Sequence, residues 1–126
     1  MCGAVRYRID GPLADVLNCH CERCRRTSGH HVAAARAQVE DVTVDDSLGS
    51  LTWYRPEDDP STAYVFCNLC GSSLFWQTDT RAHEWSMHAG CLDDTTGLTT
   101  TANWFAHEAG SYFRLDPDLE RFDGNG

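Results

Sequence analysis

The sequence predicts one mostly β domain covering residues 1–126. Short apolar runs alternate along the chain or carry β-branched and aromatic residues, as half-buried strands do. Turn-forming residues separate these runs at frequent intervals. No internal repeat or low-complexity linker divides the chain, and its length is near the common domain size.

In AVRYRI, Val5, Tyr7 and Ile9 fall on one face while Arg6 and Arg8 fall on the other. Further strand-like runs are LTWYR (51–55), AYVFC (63–67), SLFWQT (73–78), EWSMHA (84–89), ANWFAH (102–107) and YFRL (112–115). The breaks between them are DGP (10–12), PEDDPS (56–61), CGS (70–72) and EAGS (108–111). HHVAAARAQVEDV (30–42) differs: its alanines, glutamate and glutamine favour a helix, and Val32, Val39 and Val42 fit a helical face. Local reasoning therefore expects a helix there. The aromatics Trp53, Tyr54, Phe66, Phe75, Trp76, Trp85, Trp104 and Phe105 lie in the strand-like runs and are expected to pack the core.

The formal net charge of −9 argues against a nucleic-acid backbone or an anionic membrane surface as partner. Every fixed positive side chain is arginine, because the chain has no lysine. Schiff-base chemistry and a lysine phosphate loop are thereby excluded. The Asp pairs 45–46, 58–59 and 93–94 lack the alternating acidic ligands of a calcium loop. No apolar run approaches the ~18 residues of a membrane helix. The N-terminus has no basic region leading into an apolar stretch, so a cytoplasmic protein without a secretory signal is expected. In that compartment, clustered thiols read as metal ligands or catalysts, and the odd count of seven cysteines disfavours a closed disulfide framework.

The stretch NCHCERCRRTSG (18–29) places Cys19, Cys21 and Cys24 close together and surrounds them with Arg23, Arg25 and Arg26. In an extended segment Cys19 and Cys21 project from one side, and the two residues before Cys24 can bring a third sulfur to the same point. Three thiolates on zinc leave its fourth position open, as catalytic sites do. The arginines then offset an excess negative charge. The competing reading is a redox pair, Cys21 and Cys24, which normally opens a helix after a strand. A second group, Cys67-Asn-Leu-Cys70-Gly71, has the form of half a structural zinc site at a hairpin. Cys2 is the natural third ligand, with Cys91, His20, His88 or water as candidates for the fourth. Cys91 by itself reads as a small, partly buried residue.

CGAVRY, CHCERCRRTSG, FCNLCGSSLFW and HAGCLDD occur in the order that characterises the glutathione-dependent formaldehyde-activating enzymes, a family that includes the centromere protein V group. The chain resembles that family down to RFDG near its end. The resemblance implies a β-tent fold of short antiparallel sheets organised around two zinc ions, and makes residues 30–42 mainly a strand. It implies that Cys2, Cys67 and Cys70 hold a structural zinc. It also implies that Cys19, Cys21 and Cys24 hold a zinc associated with activity. The reaction implied is that of a carbon–sulfur lyase, joining glutathione or a similar small thiol to formaldehyde. Arg25 and Arg26 are the leading candidates for binding the anionic thiol, ahead of Arg36 and Arg55. The family motif begins C-x-C-Gly, and Met1 stands in its middle position, so the structural site is expected to be one cysteine short. Two other functions fit the same motifs: a non-catalytic zinc module that binds a protein partner, and a methionine-sulfoxide-reductase-like oxidoreductase using Cys91. Chromatin binding fits the acidic chain least well.

Overall fold

The computed structural model describes residues 1–126. In chain order they form β1 (Arg6–Ile9), β2 (Val16–Cys19), α1 (Glu22–Ser28), β3 (Val32–Gln38), β4 (Val42–Asp45), β5 (Leu51–Tyr54), β6 (Thr62–Cys67), β7 (Ser73–Thr78), β8 (Glu84–His88), β9 (Thr100–Trp104) and β10 (Glu120–Arg121). β1 and β4 make a two-stranded antiparallel sheet, and the others form one sheet in the order β10-β9-β2-β3-β8-β7-β6-β5. The pairings of β9 with β2 and β10 are parallel.

Residues 30–42 do not form the helix that local propensity favours. They form β3 and a single 3-10 turn at Val39–Asp41, as the family resemblance implies. β3 is hydrogen-bonded on both edges, to β2 and to β8. Its small side chains fit a crowded interior, with Ala35 and Ala37 fully buried. Tertiary burial and two ladders outweigh a propensity difference of well under ~1 kcal/mol per residue. YFRL (112–115) forms no strand. The ANWFAH strand stops at Trp104, where Phe105 takes a left-handed backbone (φ 52°) and starts a 3-10 turn.

The ladder registers separate the large sheet into two faces, because directly opposed residues share a face and successive residues alternate. One row runs Trp53–Val65–Phe75–Met87–Ala35 across five strands. Val65, Phe75, Met87 and Ala35 in that row are buried, and they belong to or adjoin the core. Phe75 stacks on Trp85 with ring centroids 4.4 Å apart, and Trp53 meets both rings edge-on. Val5, Tyr7 and Ile9 of the β1 segment and Val42 of β4 pack against this core, so the small sheet covers it. The adjacent row, Tyr54–Tyr64–Trp76–Ser86–Arg36, lies on the opposite face and stays partly exposed. That uncovered face carries the first cysteine group.

Candidate metal centres

Cys19 ends β2, where it opposes Val32 on one side and Trp104 on the other. The next residue is anchored firmly. His20 is 2% exposed, its amide donates to the Trp104 carbonyl (3.0 Å), and its Nε2 meets Asn103 Oδ1 at 2.8 Å. His20 is thus committed to a second strand rather than available as a fourth ligand. Cys21 is the N-cap of α1, and its sulfur accepts from the Cys24 amide at 3.4 Å. The helix suits its sequence, with Glu22 in the first turn and Arg25 and Arg26 in the last. Gly29 closes it in the left-handed region (φ 78°), donating its amide to the Arg25 carbonyl.

This strand–helix junction is what brings Cys24 back beside Cys19 and Cys21. The ligating atoms of the three lie within 4.8 Å of one another. A tetrahedral zinc with ~2.3 Å bonds needs sulfurs roughly 3.8 Å apart, so the triad fits such an ion with slight adjustment. Cys21 and Cys24 do open a helix after a strand, the setting of a redox pair. The third convergent sulfur nevertheless matches a metal site better than a dithiol, and all seven cysteines are free thiols. Cys21 is pulled down to about 2, first by hydrogen bonds from Cys19 and then Cys24. Cys19 is pushed up to about 11, chiefly by donating to Cys21, and Cys24 is raised by its bonds to Cys19 and Cys21. A cation in their midst would favour the thiolate form of all three sulfurs.

The surrounding arginines divide into committed and free. Arg23 pairs with Asp58 at 2.7 Å, and Arg26 pairs with Glu22 at 2.9 Å across one turn. Arg25 is half-buried and its guanidinium Nε, shielded from water, has no partner. Of the three, Arg25 therefore has the unassigned charge. Tyr64 approaches the triad from β6, with Trp76 opposite it on β7. Burial pushes the Tyr64 hydroxyl up to about 12, with the neighbouring thiols of Cys24 and Cys21 adding to the effect.

The second group sits where β6 turns into β7. The Gly71 amide donates to the Cys67 carbonyl at 2.7 Å, and the Cys67 amide to the Ser72 carbonyl at 3.0 Å. Gly71 adopts φ 77°, which this turn requires. Cys2 reaches the hairpin from the other end of the fold, with its sulfur 3.8 Å from that of Cys67. The ligating atoms of Cys2, Cys67 and Cys70 also lie within 4.8 Å of one another. Cys70 is held down near 5, first by the Ser72 hydroxyl and then by its backbone amide. Neither Cys91 nor His88 joins the cluster. The Cys91 thiol and the His88 ring each bond the Ser73 carbonyl, at 3.0 and 3.1 Å. Burial raises the Cys91 thiol above its usual range, which is unfavourable for a nucleophile.

A cavity of about 690 Å³ borders this second group and is lined in part by Cys2, Tyr7, Leu74, Cys91 and Asp93. Its mouth carries a closed Arg6–Asp93 ion pair of 2.8 Å. This cavity adjoins the second triad, and none of Cys19, Cys21 and Cys24 lines it.

Arg36, Trp104, Ser86, Trp76 and Tyr64 join the first triad's face without any motif announcing them. Arg36 has one sequence signal, as the sole charged residue in VAAARAQ. Its significance emerges only once that segment is known to be a strand.

A mostly β scaffold carrying two three-cysteine clusters defines a small protein equipped to bind two metal ions. The family model described as glutathione-dependent formaldehyde-activating enzyme matches residues 1–108, and the chain belongs to that family. Membership ties it to glutathione-related formaldehyde activation. A crystal structure of a Rhodobacter sphaeroides protein is similar, with a TM-score of 0.61 and 25% identity, covering 79% of this chain and 94% of that one. No curated protein matches the chain. No helix is long and apolar enough to cross a membrane.

Proposed function

We propose that the protein is a zinc-dependent carbon–sulfur lyase that joins glutathione, or a similar small thiol, to formaldehyde. The carrying observation is the convergence of Cys19, Cys21 and Cys24 with no fourth histidine, cysteine or carboxylate in their cluster. Such a donor set leaves a coordination position for a substrate. When bound there, zinc supplies a Lewis acid that favours the thiolate or polarises the aldehyde oxygen. The chain's own residues do the rest. The Cys24 amide holds the Cys21 sulfur in place, and the His20–Asn103 bond fixes the turn between Cys19 and Cys21. Trp76, Tyr64 and Trp104 supply aromatic walls around the reacting groups. Arg25, with Arg26 beyond it, offers positive charge to an anionic thiol.

In the reaction the thiol sulfur bonds the formaldehyde carbon as the carbonyl π bond opens. The thiol's proton ends on the new hydroxyl, giving an S-hydroxymethyl adduct. The reverse reaction cleaves that carbon–sulfur bond. Cys2, Cys67 and Cys70 hold a second, structural zinc in this reading.

The test is proton-exchange NMR of glutathione and formaldehyde at equilibrium, with and without zinc-loaded protein. Exchange between free and hydroxymethylated thiol should accelerate in proportion to protein concentration. An exchange rate equal to that of the buffer would reject the lyase.

A further inference from the structure

The face that holds the first triad also holds an arginine whose only ion pair is long. Arg36 lies in β3, four residues beyond the Val32 that opposes Cys19, which places its backbone roughly 13 Å further along the strand. Its guanidinium carbon is 5.9 Å from the centre of the Trp104 ring, and Trp104 in turn opposes Cys19. The side chain therefore reaches toward the triad's end of the sheet. Its Nε is shielded from water and bonded to nothing. The one carboxylate nearby, Glu84, stands 3.8 Å away and is already held by Arg81 at 2.9 Å.

An arginine with a buried, unsatisfied donor is costly unless something else completes it. Contact with an aromatic face positions the guanidinium while leaving its in-plane N–H edge free for a planar acceptor. Ser86, a small residue, stands directly opposite Arg36 and separates it from Trp76 in the same row. The guanidinium thus lies on the same face of the sheet as the thiols.

We propose that Arg36 determines specificity by anchoring a carboxylate of the thiol substrate, which restricts the enzyme to anionic thiols of peptide size. This rests on the lyase reading for the identity of the substrate. A thiol such as 2-mercaptoethanol has no carboxylate to offer, and cysteine carries its carboxylate close to sulfur, whereas Arg36 is rooted roughly 13 Å along the strand from the residue opposing Cys19. A carboxylate in the Arg36 edge forms a two-bond, charge-assisted pair.

Calorimetry on the zinc-loaded full chain would compare glutathione with its diethyl ester, in the natural protein, Arg36→Met and Arg36→Lys. Melting temperature would verify folding, and the exchange assay would give KM and kcat. Glutathione should bind the natural protein about 10- to 100-fold more tightly than the ester, the usual effect of one charge-assisted bond. Arg36→Met should remove most of that preference, the remainder belonging to Arg25, by weakening glutathione alone and raising its KM while kcat holds. Arg36→Lys should restore part of it, since lysine keeps the charge but loses the fork. Equal binding of glutathione and ester by the natural protein, or equal weakening of both by Arg36→Met, would overturn the anchor and leave the lyase standing. Clear preference in binding without accelerated exchange would support the anchor and remove the lyase. Failure to bind either thiol would overturn both.

Discussion

The two cysteine triads have nearly the same composition and opposite construction. Cys19, Cys21 and Cys24 come from one strand–helix junction, whereas Cys2 and Cys67 are separated by 65 positions. The first triad is set by local geometry and lies on the sheet face that the core leaves uncovered. The second joins the start of the chain to a hairpin in its middle, with Cys67 buried against the core. A metal in the first can be lost without releasing any distant part of the fold. A metal in the second closes a long loop, and that is where a cross-link stabilises most. On the proposed function, similar ligands serve chemistry in one place and stability in the other.

The largest effect expected from this contrast is on stability. Cys67→Ser removes the clamp, and chain-entropy reasoning for a loop of that length gives a loss of about 4 kcal/mol. Calorimetric melting should fall by roughly 10–20 °C for a domain of this size. A fall of only a few degrees would show that the second triad is no clamp.

A smaller effect belongs to the first triad's inner side, where His20, His31 and Phe113 pack together. Burial, then the charges of His30 and His20, lowers the His31 pKa from 6.5 to about 4. The fold therefore favours neutral His31. Its stability is intact above about pH 6.5 and is lost as pH falls toward 4, because the unfolded chain takes up the proton first. His31 is only half-buried, so solvent screening reduces the effect to on the order of 1 kcal/mol. The melting difference between the natural protein and His31→Gln should therefore change by a few degrees between pH 7 and pH 4.5. A difference independent of pH would assign the acid sensitivity elsewhere.

The first triad and the Cys67–Cys70 pair are legible in the sequence because spacing constrains where sulfurs can meet, whereas no spacing brings Cys2 to Cys67, 65 positions away. C-x-C-x-x-C restricts three of them to one turn, and C-x-x-C-Gly describes a hairpin. Strand-like runs at 51–55, 63–67, 73–78 and 84–89 likewise agree closely with β5, β6, β7 and β8. The rest is hidden for identifiable reasons. VLNC is too short to show alternation, so β2 goes unread, and the cysteine motif masks the helix that Cys21 caps. Alanine-rich β3 resembles a helix locally, and a helical period assigns Arg36 to no particular face. Ion pairing is invisible too: Arg23, Arg25 and Arg26 look alike in sequence, yet only Arg25 lacks a carboxylate.

That last distinction gives the smallest expected effect. Arg25→Ala should raise the KM for glutathione several-fold. Arg26→Ala should change it by less than about twofold, since Arg26 belongs to an exposed i,i+4 pair of little energetic weight. Equal effects would mean that the Arg26–Glu22 pair opens when substrate binds.

The division of labour is tested most directly by Cys21→Ser, with zinc content, melting temperature and thiol–formaldehyde exchange measured on one preparation. Zinc should fall from two ions per chain to one, and catalysed exchange should vanish. The melting temperature should stay within a few degrees of the natural protein's. Full exchange activity with one zinc missing, or a melting loss as large as that of Cys67→Ser, would contradict the account.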